Sequence, residues 1–293
     1  MSAAPLVSII LPCYNAHRYL GQTIDSVRNQ TFADIEIIVV NDGSNDPETL
    51  AYLETLPKDI KVVHHENRGL PAARNTGFET AAGKYVMPLD CDDWLEPEFL
   101  EVSLDVLERT PDASFVFSNL ALEGELRGEL AKSYNYFEQL FLNQLPYALL
   151  LPKELWKAVG GCDPTMRDGY EDWEFNIRLG AHGYHGVGTR RALMHYRVSS
   201  QGMLLAKSSA LHGKLWRKIQ KKHPELYTFT NLVRTWREWR HHPSSYPLPL
   251  YFVWFCLFRT LPQPVFGFMF RQVLKLSKSR RISAAQTRAA SNT

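Results

Sequence analysis

Three aspartates are crowded into four residues of the stretch GKYVMPLDCDDWLEP, residues 83–97. Asp90, Asp92 and Asp93 follow an apolar run, so their charges repel one another at the edge of a region that excludes water. A hard divalent cation held by carboxylate oxygens would offset that repulsion and could bind a diphosphate on its other side. An acidic turn that caps the next helix explains one aspartate but not three. The stretch therefore predicts a divalent-cation site.

A second pair of carboxylates, Glu171 and Asp172, lies further along the chain in RDGYEDWEFNIRL. A single carboxylate next to a hydroxyl nucleophile can act as its general base. The alternative is a helix whose first turn is rich in acids, with Trp173 and Ile177 facing the core. The residues alone are compatible with both.

Turn-forming and basic residues occur in two segments between these acids and the N-terminus. Asp42 follows an apolar run in VNDGSND, where Asp and Gly are also ordinary turn residues. Arg68 and Arg74 lie beside Gly69 in ENRGLPAARNTG. A helix N-terminus with nearby arginines binds anions, although a surface helix with salt bridges fits the same residues.

Short apolar runs alternate with helical patterns over residues 1–120. The predicted strands are residues 6–11, 35–40, 61–65, 84–89 and 114–118. Two sets of apolar residues recur at the spacing of a helix face: Leu20, Ile24 and Val27, and Leu95, Phe99, Val102 and Val106. This alternation predicts a mainly parallel twisted sheet with helices on both faces. Ligands bind at the carboxyl ends of such strands, and the first four end in PCYN, NDGS, ENRG and DCDD.

Charge divides the chain into two parts. Residues 1–205 carry 17 Lys and Arg against 29 Asp and Glu, whereas residues 206–293 carry 16 against 2. The acidic part argues against a nucleic-acid groove, and the basic part suits a partner that bears phosphate. The four cysteines form no CxxC pair, and MSAAPLVSII lacks the features of a signal peptide. A cytoplasmic protein is expected.

Taken in order, ILPCYN, NDGS, NRGLPAARNTG, LDCDDWLEP and GYEDWEF resemble the motifs of the family 2 glycosyltransferases, inverting enzymes of the GT-A fold. The resemblance covers residues 6–205. It implies an α/β fold, with a Rossmann-like mixed sheet flanked by helices. It also implies a nucleotide-sugar-binding half at 1–120 and an acceptor-binding half at 121–205. The basic charge and helical pattern beyond residue 206 predict a basic helical extension at 206–293. The tail at 283–293 is expected to be disordered.

The resemblance implies roles at the donor site. The four polar segments are called the first loop (residues 12–15), the second loop (41–44), the third loop (66–69) and the acidic loop (90–93). The first loop and Asp42 of the second would contact the nucleotide base. Arg74 would support the nucleotide and the acidic loop, and Asp90 would contact ribose. Asp92 would bind Mn²⁺ or Mg²⁺, while Asp93 would orient the loop. The residues expected at the donor are Pro12, Tyr14, Asn15, Asp42, Asn67, Gly69, Arg74, Asp90 and Cys91.

The implied reaction moves a sugar from a nucleoside diphosphate, expected to be UDP, to a hydroxyl of a glycan or lipid-linked acceptor. The metal would stabilise the charge on the leaving diphosphate. Asp172 would take the hydroxyl proton, and one displacement would invert the anomeric centre. Glu171 and Trp173 are expected to bind the acceptor.

The segment MHYRVSSQGM departs from the family pattern. Family members often carry a histidine after the Tyr-Arg pair that assists the metal or diphosphate, and Ser199 stands there in this chain. His195 could replace it only in a different strand register; the alternative is a buried or edge histidine. Arg197 is a further candidate for a phosphate contact.

The C-terminal extension contains the apolar run LYFVWFCLF, residues 250–258. It is far shorter than the roughly 20 residues that span a bilayer. One alternative is a core helix, packed on the transferase domain or across a dimer. In the other, residues 246–281 lie on an anionic membrane surface at the inner face of the cell membrane. The basic charge favours the membrane, with an envelope-polysaccharide or lipid-linked acceptor.

Two other functions fit parts of the sequence. A sugar nucleotidyltransferase usually needs a glycine-rich basic loop near the N-terminus, and ILPCYNAHRYL is not one. A non-catalytic sugar-nucleotide-binding or scaffold protein would have no need for both Asp92 and Asp172, and both are present.

Overall fold

The computed structural model describes residues 4–199, 211–247, 249–262, 265–266 and 268–269. The strands within these residues are β1 (Val7–Cys13), β2 (Ile35–Asp42), β3 (Ile60–His65), β4 (Tyr85–Pro88), β5 (Trp94–Leu95), β6 (Phe115–Gly124), β7 (Gly128–Leu130), β8 (Leu151–Pro152) and β9 (Gly186–Val198). The helices are α1 (His17–Arg28), α2 (Pro47–Glu54), α3 (Leu70–Thr80), α4 (Phe99–Arg109), α5 (Tyr136–Gln139), α6 (Lys153–Ala158), α7 (Glu171–Ala181), α8 (His212–Lys222), α9 (Phe229–Trp239) and α10 (Pro249–Thr260). The predicted tail at 283–293 lies outside the described residues.

The first sheet has the strand order β3-β2-β1-β4-β8. β1 pairs in parallel with β2 and with β4, and β2 pairs in parallel with β3, while β8 adds an antiparallel edge. The carboxyl ends of β1 to β4 therefore meet at one edge, which confirms the predicted parallel sheet. The four polar segments that follow these strands gather at that edge.

Helices cover both faces of this sheet, as the sequence predicts. Successive side chains of a strand point to opposite faces, and Ile9 and Ile10 accordingly belong to two different cores. Leu20 of α1 packs in the core that contains Ile9, and Phe78 of α3 packs in the core that contains Ile10. Burial on both faces explains why the strands are continuous apolar runs.

The second sheet has the strand order β5-β9-β6-β7. β9 pairs in parallel with β6 and antiparallel with the two-residue strand β5. Leu95 is part of β5, where it pairs with Met194, so its predicted place on a helix face is wrong. Pro97 accounts for the difference, because the residue before a proline is driven to extended backbone and α4 starts only at Phe99.

The C-terminal helices pack against the core that contains Ile10. Trp216 of α8, Leu232 of α9 and Phe258 of α10 are all buried there. The indole N–H of Trp216 donates to the carbonyl oxygen of Leu140 at 3.1 Å, which ties α8 to the segment after α5. The apolar run of the extension therefore packs on this core through one side of α10.

Candidate active site

Arg74 lies at the centre of the site, where it joins two acids that are far apart in the sequence. It is carried by α3, and its side chain is only 3% exposed. One guanidinium nitrogen lies 2.9 Å from Asp90 and the other lies 2.8 Å from Glu171. The ring of Tyr147 stacks against the guanidinium, with its centroid 5.0 Å from Cζ. Arg74 thus connects the acidic loop to the first turn of α7.

The charges around Arg74 are strongly coupled. Burial opposes the cation, but Asp90 and Glu171 outweigh it and raise the pKa of Arg74. Burial raises the pKa of Glu171, and Arg74 acts in the opposite direction. The arginine therefore stays charged, and the two carboxylates depend on it for their counter-charge.

The buried side chain of Asp93 holds the acidic loop in place through two hydrogen bonds. Its Oδ2 accepts a hydrogen bond of 2.6 Å from the Tyr147 hydroxyl. Its Oδ1 accepts one of 2.8 Å from the backbone N–H of Arg197. The same Tyr147 oxygen accepts from the backbone N–H of Asp90 at 2.9 Å. Both oxygens of Asp93 are thus occupied, which leaves Asp90 and Asp92 as the acids available to a ligand.

The side chain of Asp92 is exposed at the surface of the loop. Partial desolvation, and then the nearby charge of Asp90, raise the pKa of Asp92 to about 6. The negative potential at this position is therefore incompletely neutralised by the protein itself.

Thr23 and Arg197 hold the backbone of the acidic loop from the other side. The Thr23 hydroxyl contacts the carbonyl oxygens of Cys91 at 2.9 Å and Asp93 at 2.7 Å. The guanidinium of Arg197 donates to the carbonyl of Asp92 at 3.0 Å and stacks on the ring of Tyr19 at 4.2 Å. Arg197 is thus committed to the protein, and its predicted phosphate contact finds no support here.

Cys91 and His195 face away from the acids of the loop. The thiol of Cys91 is buried and donates to the carbonyl of Pro12 at 3.1 Å, so Cys91 can meet a donor only through its backbone. The ring of His195 stacks on Trp94 at 4.7 Å, with Nε2 2.7 Å from a carboxylate oxygen of Glu96. His195 is therefore a partly buried histidine of β9, an interior strand in which it pairs with Trp94 on one side and Ala121 on the other.

The first loop presents one aromatic ring and joins itself to the second loop. Tyr14 is 49% exposed, so its ring is accessible for stacking. Asn15 has a left-handed φ of 51°, and its Oδ1 accepts from the backbone N–H groups of Asn45 at 3.0 Å and Asp46 at 3.1 Å. Pro12 is buried within β1. Of the residues of this loop that are predicted to contact the nucleotide base, Tyr14 has the exposed ring.

Asp42 fixes the third loop. It is buried, and its carboxylate accepts from the backbone N–H groups of Arg68 at 2.8 Å and Gly69 at 2.9 Å. Gly43 has a φ of 65°, and a Cβ there would lie 2.5 Å from the backbone nitrogen of Asn67. The second and third loops therefore approach so closely that only glycine fits.

Asn67 and Gly69 line the outer part of this region, together with a residue that the sequence did not single out. The guanidinium of Arg167 donates to the carbonyl of Asn67 at 3.3 Å. A Cβ on Gly69 would lie 3.0 Å from the Nε of Arg167. Arg167 directly precedes the Asp-Gly-Tyr-Glu-Asp segment, and its place next to that motif could have identified it from the sequence.

Asp172 lies in the first turn of α7, next to the Arg74 ion pair. The chain enters the helix through Gly169 and Tyr170, which both have positive φ. The Oδ2 of Asp172 accepts a hydrogen bond of 2.8 Å from Asn143, and its Oδ1 accepts one of 2.7 Å from its neighbour's backbone N–H. Burial raises the pKa of Asp172, while Arg74 and these donors oppose the rise.

The side chains of Glu171 and Trp173, which the sequence predicts to bind the acceptor, are both buried within the protein. Glu171 is buried and paired with Arg74. Trp173 is 1% exposed, and its indole N–H donates to the carbonyl of Gln139 at 2.6 Å. Its ring stacks near His212 and Trp216 in the core. Direct acceptor binding by either side chain is not supported, because helical spacing turns residues 171 and 173 inward and leaves Asp172 at the site.

The fold and the sequence both have known counterparts. The solved structure of residues 1–349 of Staphylococcus aureus TarS, determined in complex with UDP-GlcNAc, has a TM-score of 0.58. Its identity to this chain is 18%, and the match covers 78% of this chain and 69% of that one. This likeness confirms the expected GT-A fold.

Curated relatives match over shorter stretches. Glycosyltransferase GlyA of Streptococcus pneumoniae is 42% identical over 97 residues, which are 32% of this chain and 14% of that protein. Chondroitin synthase of Escherichia coli is 33% identical over 143 residues, which are 46% of this chain and 20% of that protein. The chain thus spans well under half the length of these relatives.

The family model described as glycosyl transferase family 2 matches residues 8–172. The match extends from β1 through the acidic loop to Asp172, and so includes both ends of the Arg74 ion pair. This chain belongs to glycosyl transferase family 2.

Proposed function

We propose that the protein is an inverting glycosyltransferase that moves a sugar from a UDP-sugar to a hydroxyl of a glycan or lipid-linked acceptor. The observation that carries the proposal is the ion pair of Arg74 with Asp90 and Glu171, because it brings the acidic loop next to Asp172. The likeness to a TarS structure with bound UDP-GlcNAc supports a UDP-sugar as donor.

The residues of the acidic loop suit a divalent cation. Among the described residues no group of three or more His, Cys, Asp or Glu side chains could hold a metal. In this proposal Asp92 would bind the cation, with Asp90 beside it. Oxygens of the diphosphate and of water would supply its remaining ligands. Carboxylate oxygens are the ligands that Mn²⁺ and Mg²⁺ accept, and the charge of Asp90 adds to the negative potential at the exposed Asp92. When bound, the metal would stabilise charge on the leaving diphosphate.

Asp172 supplies the second half of the proposed chemistry. The acceptor oxygen forms a bond to C1 of the sugar as the bond from C1 to the diphosphate oxygen breaks. The acceptor proton passes to a carboxylate oxygen of Asp172. A single displacement from the face opposite the leaving group inverts C1, and no covalent intermediate with the protein forms.

Release of nucleoside diphosphate from UDP-, GDP- and dTDP-sugars with Mn²⁺ tests this function. We expect turnover of a UDP-sugar by the wild type, loss of turnover with EDTA, and recovery when Mn²⁺ is returned. Asp92→Ala should lose most of the turnover, because the proposed ligand is removed. Asp105→Ala is the matched control, since that carboxylate forms a surface pair with Arg109.

Two outcomes would contradict the proposal in different ways. Turnover that EDTA leaves unchanged would exclude the metal but keep the transferase. Binding of the donor without any turnover, even with membrane extracts as acceptor, would favour the non-catalytic binding protein.

The outer side of α10 supports the proposed membrane surface. Leu250 and Val253 are 54% and 55% exposed, and Cys256 continues the same side of the helix. A helix that is apolar all round normally has both sides covered. The basic charge of residues 206–293 suits anionic headgroups. No helix in the described part of the chain is long and apolar enough to cross a bilayer.

Flotation with liposomes checks the membrane surface. The full chain is expected to float with vesicles that contain phosphatidylglycerol, to float less with neutral vesicles, and to dissociate as salt is raised. Replacing both Leu250 and Val253 with Ser should reduce flotation severalfold. Leu50→Ser is the control, because Leu50 is an exposed leucine on α2. If the full chain does not float with anionic vesicles, residues 246–281 do not form a membrane-binding surface.

A further inference from the structure

A chain of amide hydrogen bonds ends on Asp172. The backbone N–H of Gln144 donates to the side-chain oxygen of Gln139 at 3.1 Å. The Nε2 of Gln139 donates to the Oδ1 of Asn143 at 3.2 Å, and the Nδ2 of Asn143 donates to Asp172 at 2.8 Å. The Gln139 and Asn143 side chains are called the amide relay below. A general base at Asp172 does not by itself require such a relay.

The direction of the amide relay is fixed by its first donor. A backbone N–H can only donate, so the oxygen of the Gln139 side chain must face Gln144 and its NH₂ must face Asn143. Asn143 then accepts through its oxygen, to which Asn176 also points an NH₂ group at 3.5 Å. The NH₂ group of Asn143 is therefore left to face Asp172. Hydrogen bonds that run in one direction strengthen one another.

The amide relay is also anchored to both helices at the site. The backbone carbonyl of Gln139 accepts the indole N–H of Trp173, which follows Asp172 in α7. Asn135 caps α5, and its side chain accepts from the N–H of Glu138 at 3.2 Å. Gln139 itself is fully buried. The end of α5 and the start of α7 thus hold the donor and its acceptor in register.

We propose that Asn143 is a positioning residue that holds the Asp172 carboxylate in one orientation and in its charged form. This inference rests on the proposed role of Asp172 as general base. The need arises because Asp172 is partly buried, where an unpaired charge is costly. Asn143 and the Trp173 backbone N–H each occupy one lone pair on a different oxygen, so each oxygen keeps a lone pair that can accept the hydroxyl proton.

Other charged and titratable groups also surround Asp172. The positive charges of Arg74 from α3 and Lys132 from the segment before α5 favour its ionised form. Glu171 lies beside it on α7, and the Tyr170 and Tyr196 hydroxyls face its charge. Arg74 is already shared between Asp90 and Glu171. The hydrogen bond from Asn143 therefore adds a directed contact that these more distant charges do not supply.

The pH dependence of kcat tests the proposal. Asp172 must be ionised to accept a proton, and losing the Asn143 donor should raise its pKa. The acid limb of the kcat profile in Asn143→Ala should therefore move to higher pH by about one unit. At pH values below the wild-type limb this shift corresponds to a loss of up to about 10-fold in kcat, and the loss should disappear on the high-pH plateau, with the donor KM unchanged. Asn143→Asp, of nearly the same shape, should move the limb further because it adds a negative charge.

The alternative outcomes separate the possibilities. An equal loss of kcat at every pH would show that Asn143 is merely structural and would overturn the proposal, as would an unchanged profile. Gln30→Ala is the control, because it removes a buried amide between α1 and α4 and should leave the acid limb in place. If Asp172→Asn turns over normally, the proposed role of Asp172 as general base fails first; if it is inactive and the Asn143 variants keep the wild-type limb, this inference alone fails.

Discussion

Replacing Asp172 with Asn is expected to lower kcat by about 10²–10⁴-fold, the range that a general base contributes. The substitution keeps the size of the side chain and one oxygen that can accept from Asn143, so the fold should remain intact. It removes the group that takes the acceptor proton. Donor affinity should change little, because Arg74 and Asp90 keep their ion pair.

Initial rates with the nucleotide sugar that the wild type turns over measure this effect, and calorimetry with the same donor measures binding. Asp163→Asn is the matched control: Asp163 precedes the same helix but pairs with Lys222 at 2.5 Å, away from Asn143. Its kcat should stay near that of the wild type. Full activity of Asp172→Asn would show that another group accepts the proton.

Replacing Arg74 with Ala should lower the free energy of unfolding by about 3–5 kcal/mol, because it leaves two carboxylates without their buried partner. Asp90 and Glu171 would then lie near each other and near Asp172 without a cation between them. Donor binding should weaken at the same time, since Asp90 loses the contact that orients it. Arg74→Lys should lie in between, because a single ammonium cannot reproduce the two-sided contact of a guanidinium.

Urea unfolding of the variants measures the change in stability. Arg28→Ala is the control, since Arg28 forms an exposed ion pair with Asp59 at 2.6 Å, and such pairs contribute about 0–1 kcal/mol. A cost for Arg74→Ala as small as that of Arg28→Ala would mean that the central ion pair does not support the fold.

The first sheet could be predicted from the sequence because its signals are local. The run IEIIVV, residues 35–40, for example, predicts a strand that ends in a turn-forming segment, and the observed strand starts at Ile35 and continues to Asp42. Each of β1 to β4 ends in a polar loop, so the edge that carries the site followed from the parallel order alone. Leu95 was misplaced because a helical spacing also fits a short strand followed by a proline.

The partners of the site residues could not be predicted, because they depend on contacts between distant segments. Arg74 and Glu171 are 97 positions apart, and an acid in the first turn of a helix gives no sign of its partner. Asn143 lies in an irregular segment without periodicity, and nothing local marks it as the donor to Asp172. Tyr147 likewise gave no signal, although its hydroxyl joins Asp90 to Asp93.

The ion pair of Arg74 also limits how members of this family can exchange segments. A crossover near residue 120 would take Arg74 and Asp90 from one parent and Glu171 from the other. A hybrid that inherits only one of Arg74 and Glu171 would bury a charge without its partner. Recombination that aims to change acceptor choice should therefore leave residues 74–172 as one inherited block and alter the segments outside it.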